Sequence, residues 1–152
     1  MDAGEEAGHP AAMSSPLPAP VPCVGVVCFR DEEVLLIRRG RPPRQGEWSL
    51  PGGRIEPGER AVDAGLRELR EETGVEARIV GLLDVVDGIF PEAARHYVLI
   101  DYAAEWISGE PTAGDDAAEA AFVPLEEALR RVDWAETRRI IALAAGKITA
   151  SS

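Results

Sequence analysis

The first strong pattern along the chain is residues 21–29, VPCVGVVCF, apolar almost without a break, as in a strand buried on both faces. Asp31, Glu32 and Glu33 turn the chain, and residues 34–37 begin a second strand, so the two predict a hairpin. Residues 38–44, RRGRPPR, hold four arginines and two prolines and predict a loop. Trp48, Ser49 and Leu50 form a short extended piece before Pro51, Gly52 and Gly53. Over residues 61–73 the period turns helical, with Val62, Leu66, Leu69 and Thr73 on one face and Gly74 where a C-terminal cap belongs. Extended segments are predicted over 76–86 and 96–106 with a loop at 87–94. A Gly/Asp-rich loop follows at 109–116 and a short extended piece at Phe122 and Val123. Pro124 opens a helix over 125–131, and a last helix covers about 134–145. Strands on either side of one central helix, with two helices at the end, predict an α/β fold in which helices cover both faces of a mixed sheet.

Composition adds one difficulty. Sixteen Lys and Arg against 27 Asp and Glu give a net charge of -11, a field that repels nucleic acid polymers and anionic membranes. The same field opposes a phosphorylated small molecule. No run approaches 18 apolar residues, so no membrane-spanning helix is expected. Residues 1–20 are acidic and proline-rich, lack the basic start of a secretory signal, and predict a disordered tail ahead of a domain at 21–148. Cys23 and Cys28 would lie on opposite faces of the first strand and could not bridge within it. Two buried thiols without a disulfide framework suit a reducing, cytoplasmic setting. With only two histidines a Cys/His zinc cluster is not expected, and the absence of Gly-Lys-Ser/Thr excludes a P-loop.

The chemistry concentrates in residues 53–75, GRIEPGERAVDAGLRELREETGV. On a helix Glu68, Glu71 and Glu72 share a face, and each like-charge pair costs about 0.2–0.5 kcal/mol. Such a cluster alone is usually a solvated face. A hard divalent cation would remove the repulsion, because Mg²⁺ prefers carboxylate oxygens and water. Gly65 inside the helix costs roughly 1 kcal/mol against Ala, which a close approach of backbone or ligand would justify.

Reading outward gives Gly53, five residues, Glu59, seven residues, then Arg67, Glu68, Leu69, Arg70, Glu71, Glu72, Thr73, Gly74 and Val75. The spacing resembles the box of the Nudix hydrolases, Gly-x5-Glu-x7-Arg-Glu-U-x-Glu-Glu-x-Gly-U with U aliphatic, at every defined position. Chance would give such a match on the order of once in 10⁸ starting points at ordinary residue frequencies. The resemblance covers about residues 21–146 and implies the Nudix fold and a divalent metal, Mg²⁺ with Mn²⁺ as substitute, held over a nucleoside diphosphate linked to another moiety. By position it makes Glu71 and Glu72 the main metal ligands, Glu68 a further ligand or the base that activates water, and the Gly52 carbonyl a completing ligand. It also implies that Arg67 holds Glu59. Where many family members place a Ser or Thr cap, this chain has Arg60, a poor N-cap at the positive end of the helix dipole.

Three further groups are candidates. Arg38 and Arg39, and less directly Arg41 and Arg44, form a basic segment beside the box whose forks match phosphate. Among Asp115, Asp116 and Glu119, where family members often draw a further carboxylate, Glu119 is the preferred residue and the two aspartates read as a loop. Trp48, Phe90, Tyr97 and Tyr102 could stack on a base or pack in the core, and His96 reads as structural. Pro91 stands 16 residues past the box, as in several ADP-ribose pyrophosphatases, and residues 39–53 are similar to bacterial members given that label. The substrate class implied is therefore ADP-ribose or a similar nucleoside diphosphate sugar. The alternatives are a house-cleaning nucleoside triphosphate pyrophosphohydrolase and a non-catalytic nucleotide sensor. A sensor is expected to lose a box glutamate, and none is missing here. Many family members pair with their sites near the interface, so the resemblance also admits a homodimer.

Overall fold

The computed structural model describes residues 17–42 and 44–151. Most of the tail expected over residues 1–20 lies outside the described residues. Seven strands and three helices follow in the order β1 (Val21–Arg30), β2 (Glu33–Arg39), β3 (Trp48–Ser49), β4 (Gly52–Arg54), α1 (Ala61–Thr73), β5 (Glu76–Phe90), β6 (Arg95–Ser108), β7 (Ala117–Pro124), α2 (Leu125–Arg131) and α3 (Ala135–Ser151). The sheet runs β3-β2-β1-β6-β5, with β4 added beside β1 and β7 beside β2. Among the strand pairs of the described residues β1 and β6 alone run parallel, from Val21 opposite Tyr97 to Phe29 opposite Glu105. The sheet is mixed, as the sequence predicts.

β1 lies within the sheet, and Cys23 to Phe29 are all buried. Its side chains alternate between two covering layers. Val24 and Val26 pack toward α1, with Ala64 and Leu69. Val27 and Phe29 pack toward α2 and α3, with Ala128, Ile140, Ile141 and Ala144. β2 continues the alternation, Leu35 to the first layer and Val34 and Leu36 to the second. This two-sided cover is why the strand reads as an unbroken apolar run. Cys23 and Cys28 are buried free thiols, and burial pushes Cys28 up to about 12.

Several boundaries differ from expectation. Arg38 and Arg39 are not loop residues: β2 runs through them because β3 and β7 flank it, Arg38 standing opposite both Trp48 and Glu119. Residues 87–90 belong to β5, whose pairing with β6 continues to Phe90 opposite Arg95. The connection shrinks to a single 3-10 turn, Pro91–Ala93, closed by Ala94 at φ 52°. β7 has eight residues instead of two, because Ala117 to Ala121 pair along β2 despite their poor strand propensity. In α1 the expected face is rotated. Leu69 and Thr73 are fully buried but Val62 is 37% exposed, and Ala64 and Gly65 take the inner positions. A Cβ on Gly65 would stand 3.3 Å from Val26 Cγ2, so the helix approaches the sheet closely there.

Candidate active site

The frame of α1 sets the glutamates. Arg60 precedes it in extended conformation with no side-chain cap, and its carbonyl accepts from the Ala64 N–H at 2.9 Å. Gly74 ends it in the left-handed region at φ 74°, its N–H donating to the Arg70 carbonyl. The Thr73 hydroxyl donates to the Leu69 carbonyl at 2.6 Å, fixing the last turn. With Leu69 and Thr73 against the sheet, Glu68 and Glu72 fall on the side facing β4.

Two glycines of β4 allow close approaches, Gly53 to Glu68 and Gly52 to the backbone of β1. A Cβ on Gly53 would lie 2.4 Å from Glu68 Oε2, and one on Gly52 would lie 2.1 Å from the Val24 carbonyl. The Gly52 N–H donates to Glu72 Oε1 at 2.9 Å. Glu72 is only 8% exposed, and burial pushes its carboxyl up to about 8 despite that bond, with the charges of Glu68 and Asp116 adding to the effect. Burial likewise raises Glu68, and Arg67 opposes the rise.

Arg67 ties the group together. Its Nε and Nη2 donate to the two oxygens of Glu59 at 2.7 and 3.0 Å, a fork-on-fork pair. Nη1 donates to Glu68 at 3.2 Å and to Glu71 at 3.0 Å, and Nη2 also donates to the Arg54 carbonyl at 3.0 Å. The pairing holds Glu59 below its ordinary value and Arg67 above its own.

Glu68 and Glu72 open into a cleft of about 840 Å³. Arg39, Arg44, Asp116, Leu99, Asp101 and Trp134 are among the residues that line it, and the Arg44 guanidinium lies 5.8 Å from the centre of the Trp134 ring. The rings of Phe90 and Trp134 are 5.6 Å apart at 56°. Of the basic segment, then, Arg39 and Arg44 reach the cleft. Arg38 and Arg41 do not line it: Arg38 pairs with Glu119 at 3.3 Å, and Arg41 with Asp116 at 3.0 Å. For Arg38 the reason is strand alternation, since consecutive residues of β2 face opposite ways; Arg41 lies beyond the end of the strand. Glu119, paired with Arg38, does not line the cleft, whereas Asp116 does. Asp116 is positioned by its backbone, whose carbonyl accepts from the Gly40 N–H at 2.8 Å. Of the aromatic candidates Trp48, Phe90 and Tyr97 line the cleft, whereas Tyr102 packs in the α1 layer.

This arrangement is a poorly compensated pocket of negative charge. Glu72 is buried with one N–H donor to one of its oxygens, and Glu68 shares Arg67 with two other carboxylates. Such donors fit a hard divalent cation. As they stand, no three His, Cys, Asp or Glu side chains among the described residues gather closely enough to hold one. Arg67 Nη1 bonds both Glu68 and Glu71.

The complete box, on a loop, helix and loop against a mixed sheet, can now be set beside known proteins. The NUDIX domain family model matches residues 19–144. The chain belongs to the Nudix hydrolase family. It is 38% identical over 106 residues to the ADP-ribose pyrophosphatase of Methanocaldococcus jannaschii, covering 70% of this chain and 63% of that protein. It is 37% identical over 115 residues to the 8-oxo-dGDP phosphatase NUDT18 of Homo sapiens, covering 70% and 35%. The chain thus spans less than two thirds of either relative. Among solved structures, the MutT Nudix hydrolase of Burkholderia pseudomallei superposes with TM-score 0.72 at 32% identity, over 83% of this chain and 98% of that one. Nudix hydrolases generally use divalent metals and act on small nucleotide substrates.

Two cleft residues escape a reading of the sequence. Trp134 opens a helical segment and carries no motif. Asp101 sits in the apolar run of β6, and that isolation in YVLIDYAA is the one local signal that marks it.

Proposed function

We propose that this chain is a metal-dependent pyrophosphohydrolase that cleaves a nucleoside diphosphate linked to another moiety by attack of water at phosphorus, with ADP-ribose or a similar nucleoside diphosphate sugar as substrate. The observation that carries the reading is the pair Glu68 and Glu72, brought by an intact box to one cleft that also holds Arg39. The relative named as an ADP-ribose pyrophosphatase supports the choice of substrate.

In this reading Glu68, Glu71 and Glu72, with the Gly52 backbone, would hold the cation. Bound there, Mg²⁺ or Mn²⁺ would supply Lewis acidity toward the phosphate oxygens. Glu68 doubles as the candidate acceptor of the proton of the attacking water. Arg67 is a positioning residue: it holds Glu59, Glu68 and Glu71 in register without lining the cleft. Arg39 and Arg44 offer the substrate positive charge at the entrance, and Phe90 and Trp134 offer an aromatic wall.

A second reading is favoured by the relative named as an 8-oxo-dGDP phosphatase: removal of damaged nucleotides from the precursor pool. Product identity separates the two. A hydrolysis panel with Mg²⁺ and with Mn²⁺ would compare ADP-ribose, other nucleoside diphosphate sugars and oxidised deoxynucleotides. AMP plus ribose phosphate supports the first reading; nucleoside monophosphate with phosphate or pyrophosphate from oxidised nucleotides supports the second. Glu72→Gln should lower turnover of the true substrate by orders of magnitude with an unchanged melting profile, and near-wild-type turnover would remove Glu72 from the centre.

A further inference from the structure

Asp101 is a charged residue in the middle of an apolar strand. It is 6% exposed, and it lines the cleft. Among the described residues no donor forms a hydrogen bond or ion pair with its carboxylate. Most buried carboxylates are paired, since an unpartnered one forfeits its hydration without replacement.

Its neighbours are arranged around it but not bonded to it. Gly25 stands opposite on β1, and a Cβ there would lie 2.3 Å from Asp101 Oδ1, so glycine is what leaves space for the carboxylate. Asp84 is its cross-strand neighbour on β5. The nearby cation, Arg139 of α3, is committed to Asp84 at 3.0 Å and to Glu136 at 2.9 Å. The Val85 N–H also serves Asp84, at 2.7 Å. Asp84 is thus satisfied twice, whereas Asp101 faces a cleft whose lining mixes apolar side chains, among them Leu99, Trp134 and Ile140, with polar ones such as Tyr97 and Thr137. A few placed polar groups among apolar walls are how ligand sites fix orientation and identity.

The register relates this compartment to the box. Asp101, Gly25 and Gly52 lie in one row across β6, β1 and β4. Two strand spacings, about 10 Å, separate Asp101 from the residue whose N–H holds Glu72. A nucleotide with its phosphates at the glutamates can place its nucleoside at Asp101.

We propose that Asp101 is a specificity-determining binding residue that accepts a hydrogen bond from an O–H or N–H donor on the nucleoside part of the substrate. This rests on the nucleotide-hydrolase reading above. A sugar hydroxyl and a base amino group share the required chemistry, and substrate analogues tell them apart.

The test compares wild type with Asp101→Asn and Asp101→Ala on the best substrate of the hydrolysis panel. Two analogues of it are added, one lacking the sugar 2′-hydroxyl and one lacking the exocyclic amino group. Loss of a charge-assisted bond should raise KM about tenfold in D101N and up to about a hundredfold in D101A, with kcat changed little. Wild type should discriminate against one analogue, which identifies the donor, and the variants should lose that discrimination. Melting temperature gives the structural control: D101N should melt at or above wild type, because an unpaired buried charge is removed. Unchanged KM in both variants overturns the proposal. So does an equal loss on the parent and both analogues, a wild type that ignores both, or a loss that tracks a lower melting temperature. Failure of wild type to hydrolyse any nucleotide overturns the functional reading and this inference with it, whereas an active wild type whose KM is unchanged in both variants overturns the inference alone.

Discussion

Arg67 donates to three carboxylates and a backbone carbonyl, and the planar fork is what allows this. A lysine keeps the charge but cannot span both oxygens of Glu59 while reaching Glu68 and Glu71. Arg67→Lys should therefore lower kcat by about tenfold or more while KM stays within about threefold, as expected when a positioning contact is lost. Steady-state kinetics on the substrate found by the panel would check it, and an unchanged kcat would count against the role. Asp101 offers a different measurement, made on the free protein. Burial, with the charge of Asp84 adding and that of Arg139 opposing, pushes its carboxyl up to about 6 from an ordinary 3.8. Because the folded value is the higher one, charged Asp101 destabilises the fold, fully above about pH 6 and progressively less as pH falls toward 4. Asp101→Asn should thus stabilise by up to about 3 kcal/mol near pH 7.5. The gain should shrink at pH 5, and thermal melts at the two pH values decide it. Glu72, Glu68 and Asp116 illustrate what a local reading yields at this scale. The box spacing singles out the glutamates, but only the fold shows that Asp116 lines the same cleft and Glu119 does not.

At the scale of elements, α1 was legible almost to the residue. Its C-terminal end is set by a neighbour in sequence, Gly74 in the left-handed region. Its inner face was less legible. Hydrophobicity favours Val62, but the sheet accepts Ala64 and Gly65, because only small side chains let the helix axis come close enough for Glu68 and Glu72 to reach β4. The uncapped start is a correctable weakness. Arg60→Ser supplies an oxygen for the orphan N–H groups of the first turn and removes a positive charge from the dipole's positive end. It should stabilise by about 0.5–1 kcal/mol, raising the melting temperature by a few degrees, with activity unchanged. A fall in melting temperature would show that Arg60 has a contact worth more than a cap. β2 and β7 are both longer than expected, since Arg38 and Arg39 resemble a solvated loop and the alanines of β7 are poor strand formers. Their extended form is imposed by each other's backbone hydrogen bonds, across about 80 residues of sequence.

At the scale of the molecule, a net charge of -11 meets a proposed anionic substrate. The basic segment beside the box divides between the two faces of β2: Arg39 toward the cleft, Arg38 toward Glu119. Arg39→Ala should raise KM about tenfold and weaken the dependence of KM on ionic strength, while Arg38→Ala should change KM by less than about threefold. Equal effects would mean that the rim acts as a diffuse field and not through a particular contact.

What the sequence determined by itself was whatever depends on near neighbours: the hairpin of β1 and β2, the extent of α1, and the box whose fixed spacing carries the family and the candidate metal chemistry. Tertiary structure decided the matters that depend on distant partners. It turned Arg39 and not Arg38 to the cleft, lined that cleft with Asp116 and not Glu119, and buried Asp101 opposite Gly25 without a bonded donor among the described residues. A side chain's face in a sheet follows from register, and register is set by pairing with strands far away in the chain. No local pattern of hydrophobic and polar residues can encode that.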